Sequence, residues 1–353
     1  MRMRDSDERV AAVQPSVADG QTPSAPKRPR RHRALRVSVL ALLVLAGPAY
    51  YEFRVRLPVG SGPAGPAVPR SAFAKPWTTR PVLLLGLGDS VTAGYGARKG
   101  YSYFDRLVAN PSDEYDDIRG LCLSAVLPNL TARNGALSGS TSLDQAGLLA
   151  HAFAPPAGAV TGAAATTVAS ADTQPADTLG LVVMTVGGND LIHSYGRSPP
   201  REGAMYGATL AQAQPWIAAF EPRLGGLLDD IAARFPGGCH IFLANIYDPT
   251  DGGGDAPLGL LPAWPDGEAI LQQYNAVVAR CAAARPNVHL VNIHDAFLGH
   301  GFHCRQFWRG HYHFADPHYW YYGNVEDPNE RGYDALRRLF LIEIAKVLGA
   351  KAE

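Results

Sequence analysis

The sequence predicts an α/β protein with a parallel sheet covered on both faces, and three observations carry this. Short apolar, β-rich runs recur at 82–87, 180–186, 240–246 and 288–293. Helix-like stretches, including Trp216 to Phe235 and Glu268 to Ala284, lie between them. The runs are apolar on both faces, as buried parallel strands require. Strands and helices that alternate in this way build a doubly covered sheet.

In chain order, residues 1–33 are polar, contain proline and lack periodicity, which predicts a disordered arm. The arm ends in Lys27-Arg28-Pro29-Arg30-Arg31-His32-Arg33, and after Arg36 an apolar stretch runs from Val37 to Tyr51. Residues 34–53 therefore read as a signal-anchor or a signal-peptide core. The small-residue site Gly47-Pro48-Ala49 is a mediocre cleavage sequence, and this favours an anchor. Basic residues favour the cytoplasmic side, so the chain after residue 51 is expected outside the cytoplasm. Residues 54–80, rich in Pro, Gly and Ala, read as a linker, with a folded domain over 81–353.

The bounds agree with one large domain. The chain has 353 residues, 46% of them hydrophobic, enough for a sizeable core. Its 32 basic and 32 acidic residues balance, so the domain carries no electrostatic footprint for nucleic acid. Cys122, Cys239, Cys281 and Cys304 are compatible with two disulfides in an oxidising compartment. Cys239 and Cys281 flank neighbouring elements and form the first candidate pair; buried free thiols are the alternative. Oligomeric state is open.

The first strand, Val82-Leu83-Leu84-Leu85-Gly86-Leu87, closes on Gly88-Asp89-Ser90, which places a serine at the carboxyl edge of the sheet. Leu130-Thr131-Ala132-Arg133 before Asn134-Gly135 could be one further short strand. The strand at 180–186 ends in Gly187-Gly188-Asn189-Asp190 at the same edge. In the helix-like stretch from Trp216, Pro222 is expected to start or remake the helix. A serine nucleophile needs a base, an orienting group, and donors for the developing oxyanion. Asn189 can supply a side-chain amide, and Gly139 in Asn134-Gly135-Ala136-Leu137-Ser138-Gly139-Ser140-Thr141 a backbone N–H.

Gly88-Asp89-Ser90 with Gly94, Asn134 with Gly139, and Gly187-Gly188-Asn189-Asp190 resemble the first three sequence blocks of the SGNH/GDSL hydrolase family. The likeness runs from about Pro81 to the C-terminal helix. It implies a flavodoxin-like three-layer α/β/α sandwich with a mostly parallel central sheet. It also implies ester hydrolysis by Ser90, with the oxyanion held by the Ser90 and Gly139 N–H groups and the Asn189 side chain. The chemistry implied needs no metal or organic cofactor.

The fourth block departs from the family pattern. The family's Asp-x-x-His is matched here by Asn324-Val325-Glu326-Asp327, followed by Pro328-Asn329-Glu330. Asp327 thus stands at the base position, where a carboxylate is a poorer base than imidazole. The better reading of Asp327 is a helix N-cap before Pro328, with Glu330 completing a capping-box-like pattern. A substitute base is then sought among His294, His300, His303, His311, His313 and His318. His318 is the first choice, with Asp316 or Asp327 holding its second nitrogen; His303 and His313 follow. The same cluster, with Cys304, makes a metal site imaginable, but no segment has a recognised ligand spacing and none is assigned. Phe307-Trp308 and Trp320-Tyr321-Tyr322 could line a pocket or pack a core. The expectation is a membrane-anchored or secreted serine hydrolase for small-molecule or polysaccharide esters. The alternative is a non-catalytic cell-envelope glycan-binding or scaffold protein on the same fold.

Overall fold

A computed structural model describes residues 30–154 and 173–351. Of the two units into which the chain divides, the first is Met1–Ala49. The expected arm lies outside the described residues up to position 29; Arg30–Tyr50 form one helix, α1. One helix among the described residues, Leu35–Val55, is long and apolar enough to cross a membrane.

The second unit, Tyr50–Glu353, is built on five parallel strands: β1 (Val82–Gly88), β2 (Leu130–Asn134), β3 (Leu179–Thr185), β4 (Cys239–Ala244) and β5 (Val288–Val291). Their order is β2-β1-β3-β4-β5, the doubly wound arrangement whose switch point lies between β1 and β3. The helices of this unit are α2 (Ser90–Ala93), α3 (Tyr103–Val108), α4 (Leu123–Val126), α5 (Gln145–Phe153) and α6 (Gly188–Ile192). They continue with α7 (Leu210–Ala233), α8 (Gly267–Ala283), α9 (Ile293–Phe297) and α10 (Glu330–Leu348). All seven residues of β1 are buried, and they alternate between two cores. Leu84 packs with Tyr103, Phe340 and Ile344 on one face; Leu83, Leu85 and Leu87 pack with Phe153, Phe220 and Tyr274 on the other. The result is the expected three-layer sandwich. Edge strand β2 is mostly exposed, which explains its polar sequence.

Three expectations differ in detail, and one open alternative is resolved. Helix α7 runs unbroken through Pro215 and Pro222, started by a Thr209–Gln212 capping box. Its buried stripe of Ile217, Phe220, Leu224, Leu228 and Ile231 gains more from continuity than the two proline rings cost. Much of the expected linker belongs to the domain: Ala64, Val68 and Trp77 are buried in the core. The Tyr319 N–H donates to Pro58 O at 2.8 Å, and the Arg331 guanidinium donates to the carbonyls of Ser61 and Gly62. All four cysteines are free and buried, so the pairing of Cys239 with Cys281 is not formed. Cys281 instead faces the Glu221 carbonyl at 3.7 Å. Trp320 and Tyr321 are core residues, packed on Phe297.

Behind α10 lies a buried ionic cluster. The Arg337 guanidinium donates to Glu114 at 2.8 Å and also to Asp334, and Arg106 donates to Glu114 at 2.6 Å. The side chains of Arg337, Glu114 and Asp334 are wholly inaccessible.

Candidate active site

The serine stands where β1 turns into α2. Gly88 has φ +118°, and a Cβ there would come within 1.9 Å of the Thr185 carbonyl oxygen, so only glycine fits. Asp89 caps α2 by accepting from the Val91 N–H at 3.1 Å. Its carboxylate also accepts from the Thr185 hydroxyl at 2.7 Å. With that proton committed, Thr92 must donate to Thr185 and Tyr103 to Thr92, at 2.8 and 2.7 Å. Burial pushes the Asp89 carboxyl up to about 7. Ser90, at the first position of α2, has an N–H with no intrahelical acceptor.

Two loops are tied to that turn. Gly88 O accepts from the Leu137 N–H at 3.0 Å and from the Ser140 hydroxyl at 2.9 Å. The Asn134 side chain donates to Thr92 O at 2.8 Å. Gly139 is exposed at φ +82°, with nothing within 4 Å of an added Cβ, so its glycine serves the backbone conformation. The Asn189 amide donates to Ser140 O at 2.9 Å, and buried Asp190 accepts from the Ser142 N–H at 2.8 Å. Ser90, Gly139 and Asn189 therefore sit on segments joined directly to one another at one sheet edge.

Asp327 interacts electrostatically with the Ser90 hydroxyl. It is buried, with 2% of its surface accessible. Burial raises its pKa, while interaction with the Ser90 hydroxyl and a hydrogen bond from Asn324 oppose the rise. The Asn324 amide donates to Asp327 Oδ2 at 2.7 Å, and Asp327 Oδ1 accepts no hydrogen bond. Asn324 Oδ1 in turn accepts from the Asp327 N–H at 3.1 Å. The expectation that Asp327 caps α10 is not met. Asn329 is the cap, accepting from the Arg331 and Gly332 N–H groups at 2.9 and 3.1 Å, while Glu330 pairs with Arg98.

The histidines lie elsewhere. His318 Nδ1 and Asp316 Oδ1 are 2.5 Å apart, as expected of a pair, and Arg331 is 2.5 Å from the same carboxylate. Yet both line a second cavity with His300, His313 and Trp320, not the one that holds Ser90. The ring of His318 packs over Gly60, so the segment misread as a linker is what holds it there. His303 Nε2 is 2.8 Å from Asp255 Oδ1, and His313 Nε2 is 2.9 Å from Leu298 O. Among the described residues no group of three or more His, Cys, Asp or Glu side chains is disposed to hold a metal ion.

The cavity beside Ser90 has a volume of about 160 Å³. Leu191, Ile246, Trp264, Leu271 and Phe302 give it apolar walls, and Asp89, Asp248, Glu268 and Glu326 bring carboxyl groups to it. Burial, helped by the charge of Asp327, raises Glu326 to about 7. Burial also raises Glu268, and the facing Asp248 carboxylate adds to this. Sequence reasoning missed Glu326, Asp248 and Glu268, because they come from two separate loops and the first turn of α8, with no shared motif.

The chain belongs to the GDSL-like Lipase/Acylhydrolase family, whose sequence profile matches residues 87–335. That membership defines the class as a carboxylic ester hydrolase. Among solved structures it is similar to an extracellular lipase from Streptomyces rimosus, at 18% identity and TM-score 0.46 over 74% of this chain and 99% of that one. It is also similar to a catalytic mutant of an acetylxylan esterase from Geobacillus stearothermophilus, at 19% identity and TM-score 0.45 over 76% and 95%. A lipolytic protein of the G-D-S-L family from Veillonella parvula aligns at 13% identity and TM-score 0.40 over 73% and 97%. No curated protein matches this chain in sequence.

Proposed function

We propose that Ser90 is the nucleophile of an ester hydrolase in which Asp327, held by Asn324, replaces the usual imidazole. The observation that carries this is the buried Asp327 carboxylate facing Ser90, with Oδ2 held by Asn324 and Oδ1 unpartnered. Asn324 and Asp327 keep the three-residue spacing of the family's acid and base. In the reaction, Ser90 Oγ attacks the ester carbonyl carbon and its proton passes to Asp327. The oxyanion is met by the Ser90 and Gly139 N–H groups and the Asn189 amide. Collapse expels the alcohol, which takes the proton from Asp327, and water releases the acyl group by the same steps. A carboxylate of ordinary pKa is a weak base for this task; burial moves Asp327 in the useful direction. We further propose that Leu35–Val55 anchors the chain in a membrane, with the domain outside the cytoplasm.

Turnover of p-nitrophenyl acetate by the full chain is the test. Ser90→Ala is expected to remove it, and Asp327→Asn to lower kcat/KM by about 10²–10⁴-fold. The double variant Asn324→Asp/Asp327→His restores the family pair and is expected to stay active. Asn189→Ala removes one oxyanion donor and is expected to cost about 10²–10³-fold in kcat. Equal turnover by wild type and Ser90→Ala would refute the nucleophile and favour a non-catalytic glycan-binding or scaffold role.

A further inference from the structure

The candidate span Leu35–Val55 ends in aromatic residues, with Tyr50 and Tyr51 exposed. Phe53, near its end, packs edge-on against Phe307 and Trp308, with ring centroids at 5.7 and 5.3 Å. Phe307 and Trp308 also pack on each other at 5.0 Å, yet remain 62% and 55% exposed. Two large apolar side chains left this open, against the very segment where the apolar helix ends, form a patch that water does not explain. Arg54 and Arg56 follow Phe53 in the chain, and Arg305 and Arg309 flank Phe307 and Trp308. Arg56 and Arg305 share the single carboxylate of Glu52, and Arg309 lies 3.8 Å from Asp255. Four arginines against two carboxylates leave the patch rim cationic.

We propose that this face, Phe53 with Phe307 and Trp308 inside a rim of arginines, rests on the surface of the membrane that Leu35–Val55 spans. Amphipathic rings settle at the headgroup level of a bilayer, and arginines reach the anionic phosphates while their stems lie along apolar surface. Chain continuity sets the location: a ring that packs on Phe53 is within one side chain of the end of the span. The face also adjoins the Ser90 cavity, because Asp255 lies between Gly254 and Ala256 of the cavity wall. The inference rests on the membrane reading of Leu35–Val55 and is independent of the ester chemistry.

The test uses the full chain in vesicles of phosphatidylcholine and phosphatidylglycerol whose acyl chains carry bromine, a short-range quencher of tryptophan fluorescence. Of the five tryptophans, Trp77, Trp264 and Trp320 are buried in the domain. Wild type is expected to be quenched, and Trp308→Phe to lose most of that quenching. Leu40→Trp reports the helix itself and is expected to be quenched strongly. Near-ultraviolet circular dichroism of each variant shows that the domain is folded. Strong quenching of Leu40→Trp with no difference between wild type and Trp308→Phe would overturn the docking while leaving the anchor intact. No quenching of Leu40→Trp would overturn the anchor and the docking together.

Discussion

Asp327 stands where an imidazole is expected, and its surroundings determine how well a carboxylate can do that work. Burial makes its ionised form costly and so strengthens it as a base, while Ser90 and Asn324 favour ionisation. In the proposed mechanism the active form is the carboxylate, so kcat/KM is expected to fall as pH drops through the raised pKa. The acid limb of the pH profile is expected above the ordinary 3.8 of an aspartate. In Asn324→Asp/Asp327→His it should move towards about 6.5, the value of a free imidazole. An acid limb identical in the two proteins would show that some other group sets it. Asp89 makes a second pH prediction, for stability. Its folded-state carboxyl is raised to about 7 from 3.8, so the native protein binds the proton more tightly than the unfolded chain between those values. Stability from this group is greatest below 3.8 and declines as pH rises to about 7. Asp89→Asn should lose that part of the slope in urea melts across the same range.

The elements show what the residue pattern could and could not convey. Strands β1, β3, β4 and β5 were legible because each is a short, mostly apolar run, with β1 and β3 wholly buried. Even polar β2 announced itself through the turn at Asn134-Gly135. Proline misled in α7, where tertiary burial of one apolar stripe overrode a local rule. The cap of α10 misled in a more consequential way. Asp327 and Asn329 both precede the helix, and sequence gave the cap to the wrong one of the two. With Asn329 as cap, Asp327 is not engaged by the helix terminus, which the proposed role at Ser90 requires. Asn329 also donates to the carbonyls of Tyr319 and Tyr321, so it fixes the loop that carries Asp327. Asn329→Ala is expected to cost about 1–2 kcal/mol in urea unfolding. No measurable loss would show that the cap is not needed to hold this loop.

At the scale of the molecule, the gathering of the segments that carry Ser90, Gly139 and Asn189 at one sheet edge was readable, and the path of residues 316–329 was not. Gly88 ends β1, Asn189 follows β3 and Gly139 lies in the loop after β2, where sequence position and sheet topology agree. Where His318 and Asp327 lie depends on how residues 316–329 fold over the sheet edge, and that stretch and the start of α10 are held by contacts from 58–64, which look like a linker in sequence. The same α10 that follows Asp327 is pinned beneath by Glu114. Burial alone would raise that carboxyl, but hydrogen bonds from Arg106 and Arg337 outweigh it and hold it at about 2. Its stabilisation is complete above 4.5 and is lost as pH falls through about 2. Glu114→Gln leaves buried guanidinium charge uncompensated and is expected to cost about 3–5 kcal/mol, measured by urea unfolding at neutral pH. A loss under about 1 kcal/mol would mean that the cluster is not the anchor of α10.

The most direct measurement of the central pairing is the rate at which a fluorophosphonate modifies Ser90, followed by intact mass and by the mass of the Ser90 peptide. If Asp327 takes the serine proton, wild type is labelled once, at Ser90, and Asp327→Asn reacts at least about 100-fold more slowly. The His318→Ala variant reacts at the wild-type rate. Equal labelling of Ser90 in wild type and Asp327→Asn, or loss of labelling in His318→Ala, would contradict the assignment of Asp327 as the base.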